Sequence, residues 1–132
     1  MQTKQLKNKV LISACLCGVK CRYDGKHKSN QHSLELIKNG QAIAICPEIL
    51  AGLSIPRPAA DIINGKVIEK NGRDVTDVYQ KGAQLAYKFC QDNNIKISKA
   101  ILKNGSPSCG KDGLFTKLLQ SKGIVVEHQD KT

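Results

Sequence analysis

Short apolar runs rich in β-branched residues alternate along this chain with amphipathic stretches, and that alternation limits what it can fold into. "KVLISA" (9–14), "QAIAIC" (41–46), "KAILK" (99–103) and "IVVEH" (124–128) read as short buried strands. "NQHSLELIKNG" (30–40) reads as a helix, capped by Asn30, with Leu34, Leu36 and Ile37 turned inward and Gly40 as its stop. "TDVYQKGAQLAYKFCQDN" (76–93) is the strongest helix, with Asp74 or Thr76 as its cap. It places Val78, Gly82, Leu85, Ala86 and Phe89 on one face, with Cys90 as a small core residue beside them. "LFTKLLQSKG" (114–123) is a short amphipathic helix closed by Gly123. Strand, helix, strand, helix, strand, helix, strand predicts an α/β fold: three layers, a mostly parallel sheet flanked by helices, Rossmann-like in plan.

One stretch departs from the alternation. "PEILAGLSIPRPAAD" (47–61) reads as a Pro- and Gly-bearing loop, since Pro47 stops a central strand. "IINGKVIEKNGRDVT" (62–76) carries two Asn-Gly pairs with alternating residues between them, which predicts a small hairpin. No repeat, low-complexity tract or shift in composition divides the 132 residues, so a single domain over 1–132 is expected.

The chain holds six cysteines, enough to raise the question of a disulfide scaffold. A domain of this length buries enough apolar surface to fold without staples. The opening "MQTKQLKNK" is polar and basic, without the apolar core of a signal peptide, and three of the cysteines are bunched in "SACLCGVKCRYDG" (13–25). Cytoplasmic, reduced thiols serving a metal or catalysis are the expectation. No apolar run is long enough to span a membrane. The net charge of +10 favours anionic partners, nucleic acid among them, or simply a solvated basic surface. Three Tyr, two Phe and no Trp give no obvious platform for stacking bases.

Placed on the predicted strands, three cysteines distant in sequence share a position. Cys15 lies just beyond the first strand, Cys46 at the end of the second, and Cys109 in the loop "NGSPSCGKDG" after the third. In an open parallel sheet these ends line one edge, and ligands bind in the crevice outside it. The three can converge there on zinc or an iron–sulfur cluster, leaving one position open for chemistry, or they can be plain loop thiols. The helix starting near Gly113 is expected to favour the Cys109 thiolate through its positive end. Glu48, two residues past Cys46, is a candidate general base. Ser106, in the same loop as Ser108 and Cys109, can position water or pass a proton, or only cap a turn.

The ordered segments "SACLCG…CRYDG", "CPEILAGLSIPRPAADI", "GRDVT" with its following "GA", and "AILKNGSPSCG" resemble the successive motifs of the single-domain thiouracil desulfurases, from about Leu11 to Val126. The resemblance implies a [4Fe-4S] cluster held by Cys15, Cys46 and Cys109, with one iron open to the substrate's sulfur. It implies Glu48 and Ser106 as the catalytic pair, and Asp24 as a residue shaping the pocket. The implied reaction is non-redox, hydrolytic C–S cleavage of thiolated pyrimidine bases such as thiouracil, giving uracil and hydrogen sulfide. Cys17 departs from the family pattern, which has an apolar residue there; its extra thiol could be idle, or could replace a ligand, which bears on the choice between Cys15 and Cys17. Cys21 belongs to "CRYDG" but is not expected to be a ligand. The expected partner is a small thiolated nucleobase, with a monomeric chain and no membrane.

Two other readings compete. Thiolated nucleosides or tRNA would suit the +10 charge. A non-enzymatic zinc or thiol module would use the same cysteines, whereas a thioredoxin-like role lacks its C-x-x-C. Lys20, Arg22, Lys26, Lys28, Arg57, Lys103 and Lys111 all fall in or near the predicted edge loops.

Overall fold

The computed structural model describes residues 7–20, 24–25 and 30–129. Cys21, Arg22, Lys26 and Lys28 therefore lie outside the described residues. Among the described residues, six strands and four α-helices follow one another as β1 (Lys7–Ser13), α1 (Gln31–Lys38), β2 (Ala42–Ile45), α2 (Pro47–Leu50), β3 (Ala60–Ile63), β4 (Lys66–Glu69), α3 (Thr76–Asp92), β5 (Ile95–Lys103), α4 (Leu114–Ser121) and β6 (Val126–Gln129). A one-turn 3-10 helix, Ala14–Cys17, follows β1 directly.

The main sheet is four-stranded in the order β2-β1-β5-β6, and every pairing in it is parallel. This is the mixed α/β architecture with a parallel central sheet that the alternation predicts. Burial along β1 rises from exposed Lys7 to fully buried Leu11 and Ile12. Because successive side chains point to opposite faces, those two neighbours serve different layers. Leu11 joins Ala83, Ala86 and Cys90 of α3 and Phe115 and Leu119 of α4 in one cluster. Ile12 packs with Leu16 and Ile101 on the other face, against Leu36 of α1. Full burial of Phe115, Leu11 or Leu119 stabilises by roughly 1.5–3 kcal/mol each.

The Asn30 cap of α1 holds, whereas α3 has Val75, not Asp74 or Thr76, at its N-cap position, with no side-chain cap hydrogen bond. Asn30 Oδ1 accepts the Ser33 N–H at 2.8 Å. Asp74 Oδ1 accepts the Thr76 N–H at 2.9 Å, while Thr76 Oγ1 accepts the Val67 N–H at 2.9 Å and so ties α3 to the hairpin. The hairpin itself is β3–β4, antiparallel, turning at Asn64-Gly65 with φ of 50° and 78° as a two-residue turn of matching twist requires.

Three further expectations need correction. Leu34 is 40% exposed, and the buried position in α1 is Ser33. Phe89 is 43% exposed, and the inner face of α3 is carried by Tyr79, Gly82, Ala83, Ala86 and Cys90. A short helix faces little protein on its outer side, and small residues at 82, 83 and 86 let α3 lie close, which turns Phe89 outward. The stretch 47–61 is not all loop: Pro47 starts the one-turn helix α2, a favoured first position since its missing N–H is not needed there.

Candidate active site

At the ends of β1, β2 and β5 a cavity of about 280 Å³ opens, lined by Ser13, Cys15, Ile45, Cys46, Lys103, Ser106 and Cys109 among others. Its volume lies near the lower end of the range for small-ligand sites, roughly 300–1,000 Å³. All five residues singled out from the sequence, Cys15, Cys46, Glu48, Ser106 and Cys109, line this one cavity. Cys15 sits in the 3-10 turn after β1, and Cys46 caps the start of α2. These two thiols pack with Ala14 and Ala44. Cys109 approaches from the loop after β5 and is buried beside the α3–α4 core.

The loop carrying Cys109 is held by its own backbone. The Cys109 N–H donates to Ser106 Oγ at 2.8 Å, and the Gly110 N–H donates to the Ser106 carbonyl at 2.9 Å. A Cβ on Gly110 would stand 2.4 Å from that carbonyl, so only glycine permits the turn. Thr116 Oγ1 donates to the carbonyls of Gly110 and Cys109, at 2.7 and 3.1 Å. Ser106 thus caps a turn and faces the cavity at once. With one lone pair taken by the Cys109 N–H, Ser106 Oγ still has its own proton to donate.

Burial opposes the helix effect expected at Cys109. The first amides of α4 are already taken: Leu114 donates to the Pro107 carbonyl, and Phe115 and Thr116 to that of Ser108. Burial pushes the Cys109 thiol well above its ordinary pKa, opposed by a hydrogen bond from Ser13. Ser13 Oγ also accepts the Lys103 N–H at 2.9 Å, which fixes that hydroxyl between β1 and β5.

Glu48, only 8% exposed, is the acidic centre of the cavity. Its Oε1 accepts Arg57 Nη2 at 2.9 Å, Arg57 Nε at 3.2 Å and the Tyr79 hydroxyl at 3.3 Å. Arg57, also 8% exposed, is steadied from behind by donating Nη1 to the Ser54 carbonyl at 3.2 Å. Burial works against the Arg57 charge, but the Glu48 carboxylate beside it, with Cys46 adding, leaves its pKa above the ordinary value. Burial and then the Glu48 charge push the Tyr79 phenol upward as well. The three hydrogen bonds that converge on Oε1 offset part of the cost of burying this ion pair.

Sequence reasoning missed Tyr79 and Ser13, and it placed Arg57 only among seven possible edge cations. The spacing of Tyr79 from Val75, Gly82, Ala83 and Ala86 carries the inward stripe that could have found it. Of those cations, Arg57 and Lys103 line the cavity, whereas Lys20 and Lys111 are exposed and outside its lining. Asp24 and Cys17 are also absent from the lining. Cys17 packs instead against Ile12, Leu16 and Ile101, and burial followed by the neighbouring Cys15 pushes its thiol up to about 11. It is not placed to replace Cys15. Ser108 is fully buried outside the lining, its hydroxyl without a hydrogen-bond partner among the described residues.

The donor set suits an iron–sulfur cluster. Cys15, Cys46 and Cys109 are thiols, soft donors of the kind such clusters take. Among the described residues, no group of three or more His, Cys, Asp and Glu is drawn together to hold a single metal ion. A single zinc would bring its thiolates to about 3.8 Å from one another, given Zn–S bonds of about 2.3 Å at tetrahedral angles. A cuboidal cluster binds each thiolate to a different iron and so accepts cysteines ranged around a wider space.

Comparison with known proteins follows the same line. The sequence pattern of the 2-thiouracil desulfurase family matches residues 10–131. An uncharacterized protein of Bacillus subtilis (strain 168), YbbK, is 35% identical over 126 residues, covering 88% of this chain and 82% of its own. The solved structure of the [4Fe-4S]-dependent thiouracil desulfidase TudS superposes with a TM-score of 0.84 at 38% identity, over 94% of this chain and 92% of that one. Among the described residues, no helix is long and apolar enough to cross a membrane.

Proposed function

Because the chain belongs to the 2-thiouracil desulfurase family, we propose that it is a [4Fe-4S]-dependent enzyme cleaving the C–S bond of thiolated pyrimidine bases such as thiouracil by non-redox hydrolysis. Water supplies the oxygen, and uracil and hydrogen sulfide leave. The observation that carries this reading is the meeting of Cys15, Cys46 and Cys109 with Glu48 and Ser106 in one cavity. The chain acts as a single cytoplasmic domain, monomeric and Rossmann-like, with its site at the C-terminal edge of the parallel sheet.

Cys15, Cys46 and Cys109 would hold the cluster, which supplies a thiophilic Lewis acid for the thiocarbonyl sulfur. Glu48 takes a proton from the water that attacks the thiocarbonyl carbon, and returns it as the C–S bond breaks. Ser106, its oxygen anchored by the Cys109 N–H, directs its proton into the cavity and orients that water. The walls contributed by Pro58, Ala59 and Ala60 limit bulk water around the reacting group.

The test is sulfide release from 4-thiouracil by the anaerobically reconstituted chain. Sulfide and uracil in equal amounts are expected, and Glu48→Ala should keep the cluster while abolishing turnover. A fully loaded chain that releases no sulfide rejects the free base as substrate. The net charge of +10 favours a second reading, thiolated nucleosides or tRNA. Binding of thiolated tRNA that weakens steeply with salt, accompanied by desulfuration of the RNA, would support that reading.

A further inference from the structure

Arginine usually meets a carboxylate side-on, with two N–H groups on two oxygens. Here both arms of the Arg57 fork, Nε and Nη2, converge on Glu48 Oε1, and the Tyr79 hydroxyl joins them. Glu48 Oε2 accepts no hydrogen bond among the described residues, although Glu48 lines the cavity. We propose that Arg57 and Tyr79 are positioning residues that divide the two oxygens of Glu48, fixing Oε1 as an anchor and leaving Oε2 as the atom that handles the proton. The proposal rests on the desulfuration reading above for its chemistry, but its geometry is independent of that reading.

The elements explain why three donors are needed. Glu48 sits on the one-turn helix α2, too short to hold a flexible side chain by packing alone. A free glutamate side chain keeps rotamer freedom that must be removed to hold it in one position. Arg57, held by the Ser54 carbonyl, and Tyr79, held on the long helix α3, come from two separate elements and remove that freedom together. Lysine cannot replace the fork. A single ammonium keeps the charge but can sit on either oxygen.

The variants Tyr79→Phe and Arg57→Lys separate geometry from charge. Each should retain its iron and acid-labile sulfide, with KM for 4-thiouracil within about two-fold and kcat lowered about 10-fold for Tyr79→Phe and about 10- to 100-fold for Arg57→Lys. Wild-type kcat in both variants overturns the proposal, as does a loss of rate that only follows a loss of iron. Crystal structures of the same variants provide a readout besides activity. In Arg57→Lys the Glu48 carboxylate should rotate from its wild-type position, and an unmoved carboxylate overturns the anchoring role. Wild-type chain that is loaded yet releases no sulfide rejects the desulfuration reading instead, and the crystal structures then decide the anchoring by themselves.

Discussion

Replacing Gly82 by alanine should damage the site from a distance. Gly82 lies on the inner face of α3, opposite α2. A Cβ there would stand 2.3 Å from the Pro47 carbonyl oxygen and 3.0 Å from the Ala51 Cβ. Both are backbone or backbone-fixed atoms, so no side chain can swing aside. Restoring ordinary contact requires α2 and α3 to part by about 1 Å. Overpacking of this kind costs about 1–3 kcal/mol, while alanine returns about 1 kcal/mol of helix propensity over glycine. The net loss of stability is therefore small, about 0–2 kcal/mol. Catalysis is more sensitive, because α2 carries Glu48 and begins directly after Cys46. A displacement of about 1 Å in a positioned catalytic group lowers rate by about 100-fold. Urea unfolding, iron content and kcat measured on one anaerobic preparation separate these effects. The expected result is near-normal stability with kcat down about 100-fold; wild-type kcat would refute the claim that Gly82 sets the position of α2.

The other cysteines and hydroxyls give sharper contrasts. Ala at Cys15, Cys46 or Cys109 should each abolish cluster binding, whereas Cys17→Ala and Cys90→Ala should leave iron content at the wild-type level. Thr116→Val strips the hydroxyl from two buried carbonyls and should cost about 1–3 kcal/mol in urea unfolding. Ser13→Ala removes the hydroxyl that donates to Cys109, so the reconstituted cluster should change its reduction potential while retaining its iron; an unchanged potential would contradict that contact.

The parallel sheet, the hairpin and the convergence of the cysteines were legible in sequence because each depends on local pattern. Period-2 and helical spacing reveal elements, Asn64-Gly65 reveals a turn, and three strand ends in one parallel sheet must share an edge. Which face of a helix is buried depends on partners that spacing does not encode. Phe89 was expected inside and is exposed because small residues bring α3 close to its neighbours. Tyr79 and Arg57 stayed hidden for a similar reason. Their meeting with Glu48 joins α2, the following loop and α3, and 31 residues separate Glu48 from Tyr79. Cys17 looked like a rival ligand in "SACLCG", but the tight turn that puts Cys15 in the cavity carries Cys17 to the opposite face of the sheet.

Iron and acid-labile sulfide per chain, measured after purification without oxygen, test the central claim most directly. A cluster in the cavity formed by Cys15, Cys46 and Cys109 predicts about four of each. Zinc bound in their place, with no acid-labile sulfide, would contradict the account.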